Sequence, residues 1–221
     1  MGSVLATRLA GSWRLAIYDR NSHKAAAVAA ATGAVVLSGL TEAAACGRVI
    51  LAVPDKEVLS CLQEFNAIEQ ELVVFNVATN VPQTIVENAA ASHIRCISVK
   101  IIGHAGEMAL GFDPVIVVNE QPQSLTKVAR QIFSAVGHVI VGQADQVTEI
   151  NTVAAEKALE AAVRIEDELH RRGYEQTEVI QSAISQVAAG ILKAYANDDL
   201  GPFAKEIVRE VQGKTSTNPR R

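Results

Sequence analysis

Apolar positions along the chain keep two different rhythms, and the change falls near residue 143. Before it, short apolar runs alternate with stretches of helical spacing. Leu15–Tyr18, Ala34–Leu37, Val49–Val53, Glu71–Val77, Ile94–Val99, Pro114–Val118 and His138–Val141 predict strands, because runs this short between turn residues do not sustain a helix. Val49–Val53 is apolar throughout, the pattern of a parallel strand buried on both faces, and Pro54 stops it. Helices are predicted over Ser3–Ala10, His23–Thr32, Thr41–Cys46, Asp55–Phe65, Pro82–Ala91 and Ser124–Val136. Val4, Leu5 and Leu9 share a face of the first; Asn21 or Ser22 caps the second and Gly33 ends it. Lys100–Met108 reads as a Gly-containing loop.

From Asp145 to Arg172 there is only helical spacing: Val147, Ile150, Val153, Ala154, Ala158, Ala161, Ala162, Ile165 and Leu169. Gly173 ends that helix, and two more follow over Thr177–Tyr195 and Pro202–Val211. Strand–helix alternation followed by helices alone predicts an α/β protein. A Rossmann-like doubly wound parallel sheet would occupy 1–142, an all-α domain 143–212, and a flexible basic tail 213–221. The long helix is rich in Ala and poor in large side chains, which suits close packing on a second subunit. A homodimer through the C-terminal helices is the expectation.

Composition narrows the partners. Of 221 residues only 4% are aromatic, and the net charge is −4 with both signs interspersed, so no nucleic-acid surface is expected. Cys46, Cys61 and Cys96 have no C-x-x-C spacing and read as small buried hydrophobes in a reducing compartment. His23, His93, His104, His138 and His170 are scattered, so no metal is expected. No apolar run approaches the roughly 20 residues of a membrane span. Arg8 interrupts the N-terminal apolar stretch too early for a signal peptide, and Ala6 stands where a myristoylation signal wants Ser or Thr. A cytoplasmic protein is expected.

The stretch Met1–Asn21 carries the candidate chemistry. It reads as the rear half of a dinucleotide-binding finger. Gly2 would be the last glycine of G-x-G-x-x-G, and the helix opening at Ser3 would offer free N–H groups to a pyrophosphate. In that reading the first strand and first two glycines lie ahead of Met1, and a chain without them leaves two neighbouring strands with unpaired backbone groups. Asp19 would accept from both ribose hydroxyls of NAD, whereas Arg20, with His23 or Lys24, would face the 2′-phosphate of NADP. Ala52, Val53 and Pro54, at the end of a later strand, would complete the cofactor contacts.

The order Met-Gly-Ser-x-Leu-Ala, Tyr18-Asp19-Arg20, Lys24-Ala, Thr32-Gly33-Ala34 and Val49-Ile-Leu-Ala-Val-Pro-Asp55 resembles the N-terminal half of pyrroline-5-carboxylate reductases. It also resembles their wider kin, the deazaflavin-dependent NADP reductases and the β-hydroxyacid dehydrogenases. The likeness continues in Asp145-Gln-Val-Thr148, Glu166–Gly173 and Ala189-Gly190-Ile-Leu-Lys193. It implies hydride transfer between NADP or NAD and a small C=N or C=O substrate. The departures fall at the chemistry. The family's Met-Pro-Asn-x-Pro loop stands here as Ile102-Gly-His104-Ala-Gly106, and its Ser-Gly-Ser-Gly-Pro-Ala-Tyr as Asn151–Lys157. Its closing Ser-Pro-Gly-Gly-Thr-Thr is echoed only in Gly213–Thr217.

The candidate catalytic residues are therefore His104, as an acid at neutral pH, and Lys157, polarising a carbonyl. Asn151 and Thr152 are candidate substrate contacts. The competing readings are a loop histidine bonded to local backbone, and a lysine paired with Glu160 or Glu156 on a wet helix face. The competing function is a non-catalytic dimeric relative with a degenerate nucleotide site, kept for binding or regulation.

Overall fold

Leu72–Asn76 is buried at every position, and the first unit of the structure is built around it. In a computed structural model that describes residues 1–216, the chain divides into two compact units, Met1–Val153 and Ala154–Arg221.

The first unit runs α1 (Gly2–Leu9), β1 (Ala16–Ile17), α2 (Ser22–Thr32), β2 (Val35–Val36), α3 (Leu40–Ala45), β3 (Arg48–Leu51), α4 (Val58–Asn66), β4 (Leu72–Asn76) and α5 (Gln83–Ala89). It continues with β5 (Ile94–Ile102), α6 (Ala105–Ala109), β6 (Val115–Asn119), α7 (Gln123–Phe133), β7 (His138–Gly142) and the start of α8 (Val147–Arg171). The fold is α/β and Rossmann-like, and the chain after it is helical. β3–β4–β5–β6–β7 form one sheet in that order, while β1 and β2 form a separate parallel pair.

Both faces of the larger sheet are covered, as its apolar strands require. Leu5 and Leu9 of α1 and Leu125, Ala129 and Phe133 of α7 pack on Phe75, Ile97 and Val99. Phe75 and Phe133 meet edge to face, with ring centroids 5.9 Å apart. On the other face Val58, Leu62 and Phe65 of α4 and Val86 of α5 pack on Leu72, Val74 and Cys96. Asn21 caps α2 by accepting the Lys24 N–H at 3.2 Å, and Gly33 closes it in the left-handed region at φ 70°.

The structure corrects the sequence reading in three places. The sheet is not wholly parallel: β5 and β6 pair antiparallel, Val99 opposite Val118. The connection between them carries only the five-residue α6, too little to cross a sheet face, so the chain turns back as a hairpin. Within Lys100–Met108, the first three residues extend β5 and Ala105–Ala109 are helical, so the expected loop is short. The strand at Val49–Val53 ends at Leu51 and is only partly buried, because β3 lies at the edge of its sheet. The hairpin and β7 close around Pro114: a Cβ on Gly137 would lie 2.3 Å from its carbonyl oxygen, and one on Gly103 2.7 Å from its Cβ.

In the second unit α8 continues to Arg171. The helix predicted over Thr177–Tyr195 is present as α9 (Thr177–Ser182), a π-helical turn over Ala183–Ala188, and α10 (Ala189–Ala196). The last helix, α11, runs Pro202–Ser216, so the polar tail expected from 213 begins in helix. Residues 217–221, with Thr217 of the Gly213–Thr217 echo, lie outside the described residues. Among the described residues no helix is long and apolar enough to cross a membrane, and no cluster of His, Cys, Asp and Glu could hold a metal ion.

Candidate functional site

The start of α1 lies against the end of β3. A Cβ built on Gly2 would sit 3.5 Å from the Cβ of Ala52 and 3.7 Å from its carbonyl oxygen, ordinary contacts that leave room for a methyl. No side chain caps α1, and Leu5 is the first residue whose N–H reaches back, to the Met1 carbonyl at 3.1 Å. The amides before it have no acceptor within the helix. Ser3 contributes its carbonyl to Thr7 Oγ1 at 3.0 Å.

The turn after β1 is ordered locally. Asp19 Oδ1 accepts the Asn21 N–H at 2.8 Å. Arg20 reaches Glu57, 3.1 Å away, and this hydrogen bond and charge raise the already high pKa of its guanidinium. Lys24 is exposed in the first turn of α2. The Arg20–Glu57 pair thus ties the carboxyl end of β1 to the turn that follows Pro54. Gly2, Ala52–Pro54, Asp19 and Arg20 therefore occupy the carboxyl ends of β1 and β3, the edge at which open α/β sheets take ligands.

The next part of this edge is the segment Val77–Pro82 after β4, and the sequence reading missed the residues that hold it. Lys100 of β5 is fully buried, and its ammonium donates to the carbonyls of Ala78 and, at 2.7 Å, Val81. Asn76 Nδ2 donates to the Val81 carbonyl at 2.9 Å, and its Oδ1 accepts the Ala78 N–H at 3.1 Å. Asn80 Nδ2 donates to Asp55 at 2.7 Å, and Thr148 Oγ1 to the Thr79 carbonyl at 2.7 Å. Asp145 accepts the Gln83 N–H at 3.0 Å, anchoring the start of α5. The available signal was a charge between the apolar residues Val99 and Ile101.

Burial pulls the Lys100 pKa down to about 8, against the opposing pull of the Asp145 and Asp55 charges. Between about 8 and the ordinary 10.5 the unfolded chain binds the proton and the folded chain does not. Burying the ammonium opposes folding in full below that window, and the opposition fades as pH rises through it. Resistance to urea is therefore expected to rise between about pH 8 and 9, by about 1 kcal/mol; above the ordinary thiol value of 9.0 the Cys96 thiol, pushed up to about 12 by burial, works in the opposite sense. A midpoint that falls steadily over the same range would contradict this assignment.

The predicted catalytic and substrate residues are placed as follows. His104 is exposed at the carboxyl end of β5, as N-cap of α6; its carbonyl accepts the Met108 N–H at 3.0 Å. Asn151 Nδ2 donates to the Ile101 carbonyl at 3.0 Å, tying α8 to the end of β5, and Thr152 beside it is exposed. Lys157, in the second unit, is paired with Glu160 at 2.9 Å on an exposed face.

No family model matches the chain, and no curated protein matches it. Solved structures do. A pyrroline-5-carboxylate reductase from Coxiella burnetii is 14% identical and superposes with a TM-score of 0.68, over 95% of this chain and 80% of that one. The chain has the fold of these reductases. A Plasmodium falciparum pyrroline carboxylate reductase with NADP bound is 14% identical with a TM-score of 0.63, over 98% and 88% of the two chains. A Mycobacterium tuberculosis 3-hydroxyisobutyrate dehydrogenase with L-serine is 17% identical with a TM-score of 0.61, over 99% and 91%.

Proposed function

We propose that this protein is an NAD(P)-dependent oxidoreductase similar to pyrroline-5-carboxylate reductase, passing a hydride between the nicotinamide and a small C=N or C=O substrate. The observation that carries the reading is the meeting of the α1 N-terminus with Ala52, beside Asp19 and Arg20, at the carboxyl edge of a sheet of this fold. The residues fit the cofactor. Free amides in the first turn of α1 suit a pyrophosphate, and the Asp19 carboxylate suits ribose hydroxyls. Arg20 would serve a 2′-phosphate by leaving Glu57. The nicotinamide supplies the hydride; the chain binds, orients and moves protons. His104 is proposed as the proton donor, Lys157 as a polarising group released from Glu160, and Asn151 and Thr152 as substrate contacts.

Titration of the intact protein with NADPH and NADH, followed by nucleotide fluorescence, is expected to show saturable binding of at least one. Binding of neither would sink the reading. With a panel of cyclic imines and small carbonyl acids, His104→Ala is expected to lower kcat by about a hundredfold. The second reading, a non-catalytic relative, is favoured by one observation: Lys157 is held by Glu160 rather than left open. NADPH binding with no turnover across the panel would select it.

We also propose a cytoplasmic homodimer formed through the C-terminal helices. Its support is apolar: Leu159, Val163, Val187, Leu192 and Phe203 are all more than half exposed, Phe203 at 76%. The three cysteines are free, as in a reducing compartment. Sedimentation equilibrium is expected to give twice the chain mass, and Leu159→Glu with Val163→Glu to give the monomer. A monomeric wild type would refute the assembly.

A further inference from the structure

We propose that Lys100 is a positioning residue for the ligand of the cleft: it holds the Val77–Pro82 segment in the shape that receives it. The proposal rests on the nucleotide-dependent reading above.

The geometry is that of a clamp. Lys100 projects from the α4–α5 face of β5, alongside Cys96 and Ser98, and bonds two carbonyls, Ala78 and Val81, on either side of the segment's tip. Thr79 and Asn80, between them, are tied to Thr148 and Asp55. Asp55 directly follows Pro54, so the clamped segment is clipped to the strand end that meets Gly2.

The carboxylates acting on the ammonium are Asp145 from the turn before α8 and Asp55 from the turn before α4; Glu87 of α5 acts instead on the neighbouring Cys96 thiol. The first is bonded to the Gln83 amide, the second to Asn80, and Glu87 to the Gln83 side chain. The Cys96 thiol, raised to about 12 by burial, stays neutral. Lys100 therefore spends its hydrogen bonds on backbone rather than on a counter-ion. A methionine would fill the same volume without the desolvation penalty. A buried charge that opposes global stability while ordering one segment at a ligand-binding edge is the signature of a functional constraint, not of core packing.

The test compares wild type, Lys100→Met and Lys100→Arg by hydrogen exchange, NADPH titration and urea unfolding. Lys100→Met is expected to speed amide exchange in 77–82 and to weaken NADPH binding, each by about tenfold. Its urea midpoint at neutral pH should be unchanged or higher, and the rise in midpoint above pH 8 should vanish. Lys100→Arg keeps the charge and should keep exchange and affinity near wild type. Because arginine does not titrate, the rise above pH 8 should vanish here too, which keeps the test decisive if the methionine variant does not fold. A midpoint that falls together with affinity in Lys100→Met would assign the residue to stability alone and overturn the proposal. So would unchanged exchange and affinity in a protein that binds NADPH. Failure of the wild type to bind either nucleotide would instead overturn the reading beneath it, and the ligand role with it.

Discussion

Affinity for NADPH is expected to rise about a hundredfold when a short apolar strand followed by Gly-x-Gly is fused ahead of Met1. The reason lies in the split of the sheet. β1 pairs only with β2, and β3 pairs only with β4, among the described residues. The carboxyl ends of β1 and β3 are nevertheless tied together by Arg20 and Glu57. A strand entering α1 from its amino end would run parallel to both and could pair with both free edges. Each edge presents backbone groups that gain by pairing. The added glycines would bring further main-chain N–H groups to the anion already addressed by α1, and the added pairing would fix α1 against Ala52 before ligand arrives. Fluorescence titration of the fusion against the chain beginning at Met1 is the measurement. A control fusion with Ala in place of both glycines should restore the strand but recover little of the affinity. Equal affinity in all three proteins would show that the edges of β1 and β3 have no part in nucleotide binding.

Arg8→Met is expected to destabilise the first unit by about 3 kcal/mol. The Arg8 side chain is only 14% exposed and makes four bonds across the tertiary structure. One guanidinium nitrogen donates to Asp113 at 2.5 Å and to the Val136 carbonyl at 2.7 Å; the other donates to the carbonyls of Met108 at 2.9 Å and Phe112 at 2.7 Å. Truncation strips the charged donor from three backbone carbonyls, and such charge-assisted bonds are the stronger class. The segment after α6, the end of α7 and the helix carrying Gly2 would all loosen at once. Asp113→Asn is the contrast: that carboxylate is 73% exposed, and its loss should change stability by less than about 1 kcal/mol. Urea midpoints of the two variants measure the difference. Equal effects would mean that the ion pair, and not the carbonyl cradle, holds α1 in place.

The second prediction turns on contacts that no local pattern announces, and the same division runs through the rest of the molecule. Periodicity was enough for the elements. The apolar runs at Leu72–Asn76 and Ile94–Val99, the Asn21 cap, the Gly33 stop and the long helix ending at Gly173 are local choices, made by side-chain spacing and by φ preferences within a few residues. The alternation of strands and helices then specified an α/β fold with a helical end, and the residues gathered near Gly2 and Asp19 were legible as a candidate ligand edge for the same reason. Direction and neighbourhood were not legible. That β5 and β6 run antiparallel depends on α6 being too short to cross the sheet, and that Val49 and Ile50 are only partly buried depends on β3 having one strand neighbour. Lys100 read as the first residue of a loop; its meaning comes from Ala78 and Val81, which only β4 and the turn beyond it bring within reach. Sequence by itself determined which segments are helix and strand, because those preferences are local. Tertiary structure alone decided which backbone groups a buried charge must satisfy, because the carbonyls that hold Lys100 and Arg8 come from distant parts of the chain.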